Sequence, residues 1–199
     1  EPTNPIIFSA QGEQQCDSRL EEYSHRLMES CFTWAREVGP RQPLTVAAWH
    51  TPSVFEPDVP LFEHLTDQRA LELSDIISFH AYMPLEQMWE SIELLQRYER
   101  PLICSEWMGR QAGSLLQEQL PLFFREAIGC YQWGLVEGKT QTYLPWPALA
   151  PSSASPPKDW FHDLLRRDGS AYDPEETALV RKLTSVNRRA NRDPGEELS

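Results

Sequence analysis

The sequence predicts an α/β fold built on a parallel sheet, and three observations carry that expectation. Strand-like apolar runs alternate with amphipathic helical stretches, and the runs begin roughly every thirty residues, which is the period of the βα unit. The runs are short and almost continuously apolar, as strands buried on both faces are. Each run also ends on a polar or aromatic group: Trp49 and His50, His80 and Tyr82, Glu106, then Gln132 and Trp133. In a barrel of parallel strands the reacting groups sit at the strands' C-terminal ends, so the shared placement carries weight that single residues would not.

Four such units make half of a (β/α)8 barrel, the TIM barrel, which needs about 250 residues. The chain has 199 residues and opens on Glu1-Pro2, with neither an initiating methionine nor a signal-peptide pattern. It is therefore expected to hold the barrel from the end of strand four through strand eight, over residues 1–187. A charged tail without order is expected over 188–199.

Residues 2–16 are polar and turn-rich and predict a loop. From Asp17, Leu20, Tyr23, Leu27, Cys31, Trp34 and Val38 recur every three or four residues, which predicts a helix with that stripe inward. Ser18 and Glu21 fit a capping box, and Gly39-Pro40 stops the helix. Residues 44–49 predict the first strand, 51–60 a proline-bearing loop and 61–72 a weaker helix. Residues 75–80 predict the second strand. Leu85, Met88, Trp89, Ile92, Leu95 and Tyr98 then mark a clear amphipathic helix. Arg100 and Pro101 end that helix, and Leu102-Ile-Cys-Ser-Glu106 predicts the third strand. A helix over 115–128 is interrupted or restarted at Pro121, and 130–135 predict the fourth strand. A long loop to Pro157 follows, and loops of that length in compact domains are usually functional or disordered. A short helix is expected over 160–166 and a turn at Asp168-Gly169. A last helix opens on Asp173 as cap with Pro174 at its first position.

The composition excludes several classes of function. Eighteen Lys+Arg against thirty Asp+Glu give a net charge of −12, so neither nucleic acid nor an anionic membrane surface is an expected partner. No apolar run is long enough to span a bilayer. Cys16, Cys31, Cys104 and Cys130 contain no C-x-x-C pair, and neither a metal nor a cofactor is expected. Cys104 and Cys130 fit small buried hydrophobes. The compartment stays open. Seven tryptophans in so acidic a chain supply aromatic faces of the kind sugar rings stack on, although most are expected in the core.

The strand-end residues, with Trp133-Gly-Leu-Val-Glu-Gly-Lys-Thr-Gln-Thr142, Trp160-Phe-His162 and Asp168-Gly169, resemble the C-terminal half of a clan A glycoside hydrolase. The nearest likeness is to cellulase-like barrels of family five or family two type, and it covers about residues 1–185. The resemblance implies a retaining glycosidase acting on a β-linked oligo- or polysaccharide. It implies that Glu106, closing the seventh strand, is the nucleophile and Glu1, of an Asn-Glu-Pro motif, the acid/base. His80 and Tyr82 would flank the nucleophile and Trp133 would floor a sugar subsite. Trp49, His50, Gln132, Lys139 and Gln141 complete the candidate substrate contacts. Strands one to four of that clan, its second-strand arginine and the Asn before the acid/base have no counterpart here. The carboxylate pair suits the chemistry, because a retaining glycosidase places its nucleophile and its acid about 5–5.5 Å apart.

Two other classes fit part of the pattern. A non-catalytic sugar-binding or pseudoenzyme barrel would keep the aromatics and lose a carboxylate or its partner. A metal-dependent barrel hydrolase would use His50, His80 and Glu106 as ligands, although the chain has no His-x-His pair.

Overall fold

A computed structural model describes residues 6–8, 14–16, 18–52, 57–146 and 159–190, with side chains described only between residues 19 and 185. In chain order the elements are β1 (Ile6–Phe8), β2 (Gln14–Cys16), α1 (Ser18–Glu37), β3 (Ala47–Ala48), α2 (Leu65–Leu73) and β4 (Ile77–His80). There follow α3 (Leu85–Gln96), β5 (Leu102–Glu106), α4 (Leu116–Arg125), β6 (Gly129–Cys130) and α5 (Pro174–Ala190). β3, β4, β5 and β6 form one sheet, adjacent in that order and parallel throughout. The expected mixed α/β architecture with a four-stranded parallel sheet is present. No described helix is long and apolar enough to cross a membrane.

The chain divides into two compact units. The first runs to Trp107 and adds residues 128–131, so it holds the whole parallel sheet with α1, α2 and α3. Its buried side chains include Ile77, Phe79, Leu102 and Cys104 from the sheet, Ala70 and Leu71 from α2, and Met88, Ile92 and Leu95 from α3. The periodicity of α3 thus marks its inner face correctly, with Leu85 and Trp89 at the margin.

Polar groups fix the register of this unit. The Thr45 hydroxyl donates to the Ile76 carbonyl at 2.6 Å and lies 2.7 Å from Ser78 Oγ. Leu44 and Asp75 exchange backbone and carboxylate hydrogen bonds at 2.7 and 2.9 Å. The Arg100 guanidinium meets the carbonyls of Leu71, Glu72 and Ser74 at 2.6–3.1 Å, which satisfies acceptors that the end of α2 leaves orphaned.

Several expectations need correction. Residues 6–8 and 14–16 pair as antiparallel strands where a loop was expected. Three-residue strands flanked by polar residues offer no period to read. The apolar stripe of α1 is not its buried face. Tyr23, Leu27, Trp34 and Val38 are exposed and Cys31 with them, whereas Met28 and Phe32 are buried with Ala70 beside Leu44, Val46 and Leu73. Gly39, at φ +63, ends α1 as expected by closing on the Arg36 carbonyl at 3.0 Å. The capping role of Ser18 lies outside the described side chains, and Glu21 instead faces His64 at 2.6 Å.

The second unit comprises Met108–Ala127 and the chain from Gln132 onward. α4 continues through Pro121 without interruption, at the cost of one intrahelical hydrogen bond. Residues 160–166 form no helix. Their amides pair in extended fashion instead: Phe161 to Tyr143 O, His162 to Thr142 O and Leu164 to Leu135 O, with Leu165 bridging Val136 and Ala171. These cross-chain partners take the N–H groups a helix would use.

Arg110 organises this unit. Its guanidinium forms a bidentate pair with Glu176 of α5, donates to the carbonyls of Trp160 and Asp163 at 3.0 and 3.2 Å, and lies over the Tyr172 ring at 4.6 Å. α5 opens as expected, with Asp173 Oδ1 accepting the Glu175 amide at 2.8 Å. Asp168 accepts the Ser170 amide in the expected turn, and Gly169 there adopts φ +85.

Candidate functional site

The site candidate grows out of one irregularity between β4 and β5. Residues in register on parallel neighbours share a face of the sheet. Ile77 pairs with Leu102, Ser78 with Ile103 and Phe79 with Cys104, after which Ser105 is skipped and His80 pairs with Glu106. Strict alternation would put Glu106 on the face of Leu102 and Cys104, which is buried. The extra residue inverts that. Glu106 joins His80 on the opposite, less buried face, a re-aiming of one side chain that bulges perform. The Ser105 hydroxyl anchors the bulge on the Phe79 carbonyl at 3.2 Å, and the Ala81 amide resumes the ladder on the Glu106 carbonyl at 3.0 Å.

The Glu106 carboxylate then meets two groups from the end of β4. The Tyr82 hydroxyl donates to Oε2 at 3.0 Å, and His80 Nδ1 lies 3.7 Å from the same oxygen. The side chains of His80 and Glu106 keep only 11% and 20% exposure. The expected grouping of Glu106, His80 and Tyr82 is therefore present in the first unit.

Trp49 and His50 follow β3, where Ala48 pairs with Phe79. That is the last pair of the β3–β4 ladder, and Trp49 is the first residue beyond it. Its indole Nε1 is buried with no hydrogen-bond partner among the described residues. His50 goes elsewhere: its ring lies edge-on to His64 at 5.0 Å. His64 Nδ1 accepts the Thr66 amide at 3.3 Å, which leaves the ring proton on Nε2, facing Glu21. Among the described residues no three His, Cys, Asp or Glu side chains gather closely enough to hold a metal ion. The set His50, His80 and Glu106 is thus not brought together.

Between these groups lies a residue that the sequence reading missed. Asp67, in the first turn of α2, is fully buried, and its carboxylate accepts the His50 amide at 2.7 Å and, more weakly, the Trp49 amide at 3.5 Å. Burial raises its pKa, and the His50 and Trp49 amides pull it back down. One aspartate in an early helical turn reads as ordinary capping chemistry, so no sequence signal separates it. Cys104 and Cys130 face each other in register on β5 and β6, and burial raises both thiols, Cys130 to about 11. Cys104 is buried as expected, whereas Cys130 is half-buried.

The remaining candidates belong to the second unit. The fourth strand ends at Cys130, not at Leu135. Gly134, at φ +83, approaches Asp163 so closely that a Cβ there would lie 2.6 Å from Oδ1. Gln132 donates its amide to the carbonyls of Gly134 and His162 at 3.1 and 2.9 Å, a bracing role for this turn. Trp133 is 48% exposed, and Lys139 and Gln141 are exposed on the following loop. Glu1 lies outside the described residues.

The chain matches no protein-family model and no curated protein. A strand-end carboxylate with one oxygen hydrogen-bonded to a phenol and an imidazole close by has the chemistry of a nucleophile or of a base.

Proposed function

We propose that this chain is the C-terminal half of a (β/α)8 barrel and carries the nucleophile of a retaining glycoside hydrolase acting on β-linked oligo- or polysaccharides. The observation that carries the proposal is Glu106 at the C-terminal end of a parallel strand, bonded to Tyr82 from the next strand end and turned by the Ser105 bulge to the face of His80. The exposed apolar stripe of α1 and the edge position of β3 among the described strands support a further βα unit packing on this side.

In this mechanism Glu106 attacks the anomeric carbon while an acid protonates the departing glycosidic oxygen. The C–O bond breaks and a glycosyl ester of Glu106 forms. Water, deprotonated by the same acid in its base form, then displaces Glu106 and regenerates both groups. Tyr82 holds Oε2 by its hydrogen bond, which leaves Oε1 to attack. The resemblance assigns the acid/base to Glu1 and an aromatic sugar platform to Trp133.

The proposal is tested by kinetics of the complete polypeptide. Glu106→Gln should lower kcat by at least about a thousandfold at unchanged substrate binding. Tyr82→Phe should lower kcat by roughly ten- to a hundredfold with a small change in KM, because it removes an orienting hydrogen bond. Near-normal turnover in Glu106→Gln would make the strand-end glutamate structural.

A further inference from the structure

We propose that Asp67 is the positioning residue of the substrate site, fixing the strand end at Trp49 and His50 so that the Trp49 ring stands beside the Glu106 carboxylate as a wall of the sugar subsite. This inference rests on the glycosidase reading and adds to it a residue outside every strand end.

Three observations carry it. Asp67 is fully buried, and none of its described contacts is to a lysine or arginine. A buried carboxylate without a cation needs hydrogen-bond donors to offset its desolvation. Its donors are the backbone amides of Trp49 and His50, the two residues at which the chain leaves β3. Neither amide continues the β3–β4 ladder, whose last pair is Ala48 with Phe79. The carboxylate therefore takes over from the sheet at the point where the chain turns, and it sets where Trp49 points.

The second observation is the far end of the same segment. The Phe62 amide donates to the His50 carbonyl at 3.1 Å, so His50 is held at both its amide and its carbonyl. The third is Trp49 itself, the residue after the last β3–β4 pair, its indole N–H buried and without an acceptor among the described residues. A tryptophan serving packing alone normally places that N–H on a protein acceptor. A sugar hydroxyl is an acceptor of the right kind.

The test uses the complete polypeptide and reads KM against kcat. Asp67→Leu should raise KM for a β-linked oligosaccharide about tenfold while kcat stays within about twofold, the pattern of lost ground-state binding. Trp49→Ala should do the same, and the double variant should be no worse than either alone, because Asp67 acts through Trp49. Asp67→Asn keeps one acceptor oxygen for the His50 amide, and its KM should rise only about threefold. That variant also decides the matter should Asp67→Leu not fold. Unchanged KM in Asp67→Asn and Asp67→Leu overturns the proposal, as does multiplication of the two effects in the double variant. A wild-type protein that turns over glycosides normally isolates such a failure to Asp67. A wild type with neither turnover nor sugar binding overturns the glycosidase reading and this inference together.

Discussion

His162 is 2% exposed, with its Nδ1 2.6 Å from the Met108 carbonyl, and burial lowers its pKa to about 4, with the Arg110 charge adding to the effect. The carbonyl can only accept, so Nδ1 carries the proton and the ring is neutral at physiological pH. In the unfolded chain a histidine titrates near 6.5. Its folded pKa is the lower one, so the unfolded chain binds the proton first as pH falls. The stability it contributes is complete above about pH 6.5 and is lost progressively toward pH 4, on the order of 3 kcal/mol over that window. His162→Asn, which keeps a donor toward Met108, should flatten that part of the stability–pH curve. Urea titrations of both proteins between pH 7 and pH 4 check it, and equal slopes would contradict it. His162 was legible only as part of a Trp-Phe-His motif, because its burial depends on chain segments that sequence spacing does not join.

The elements read best where one physical signal sufficed. α3 shows its inner face by period, β5 its identity by an apolar run closed with a carboxylate, and α5 its start by Asp173-Pro174. β6 and residues 160–166 differ from what their sequence predicts because partners distant in sequence decide their backbone: His162 and Asp163 crowd Gly134, and Leu135 accepts from Leu164 and Leu165. The Ser105 bulge was invisible for the same reason. Glu106 was legible as a strand-end acid, while its face depends on pairing with β4. This gives a sharp expectation. Deleting Ser105 restores strict alternation and turns the carboxylate toward the side of Cys104, away from His80. In the complete polypeptide the variant should lose at least about a hundredfold in kcat while keeping native far-ultraviolet circular dichroism. Retained turnover would show that the bulge does not aim Glu106.

At the scale of the molecule, the period of Tyr23, Leu27, Trp34 and Val38 predicts a buried stripe, yet the stripe stands exposed. The period was genuine, but which surface covers it is not written in the helix. Among the described residues β3 and β6 are the edges of the sheet, and unpaired edges invite association. The 199-residue chain expressed alone should therefore self-associate and show no turnover. Leu27→Glu with Trp34→Lys should reduce that association in light scattering. The same pair should destabilise the complete barrel by roughly 2–4 kcal/mol, since it would place charges in a packed interface. A monodisperse, active monomer of this chain alone would contradict the half-barrel account. Glu106 is the central residue, and one measurement reaches it directly: a mechanism-based 2-deoxy-2-fluoroglycoside incubated with the complete polypeptide, followed by peptide mapping. The glycosyl label should lie on Glu106 and vanish in Glu106→Gln, whereas a label on any other carboxylate would contradict the assignment.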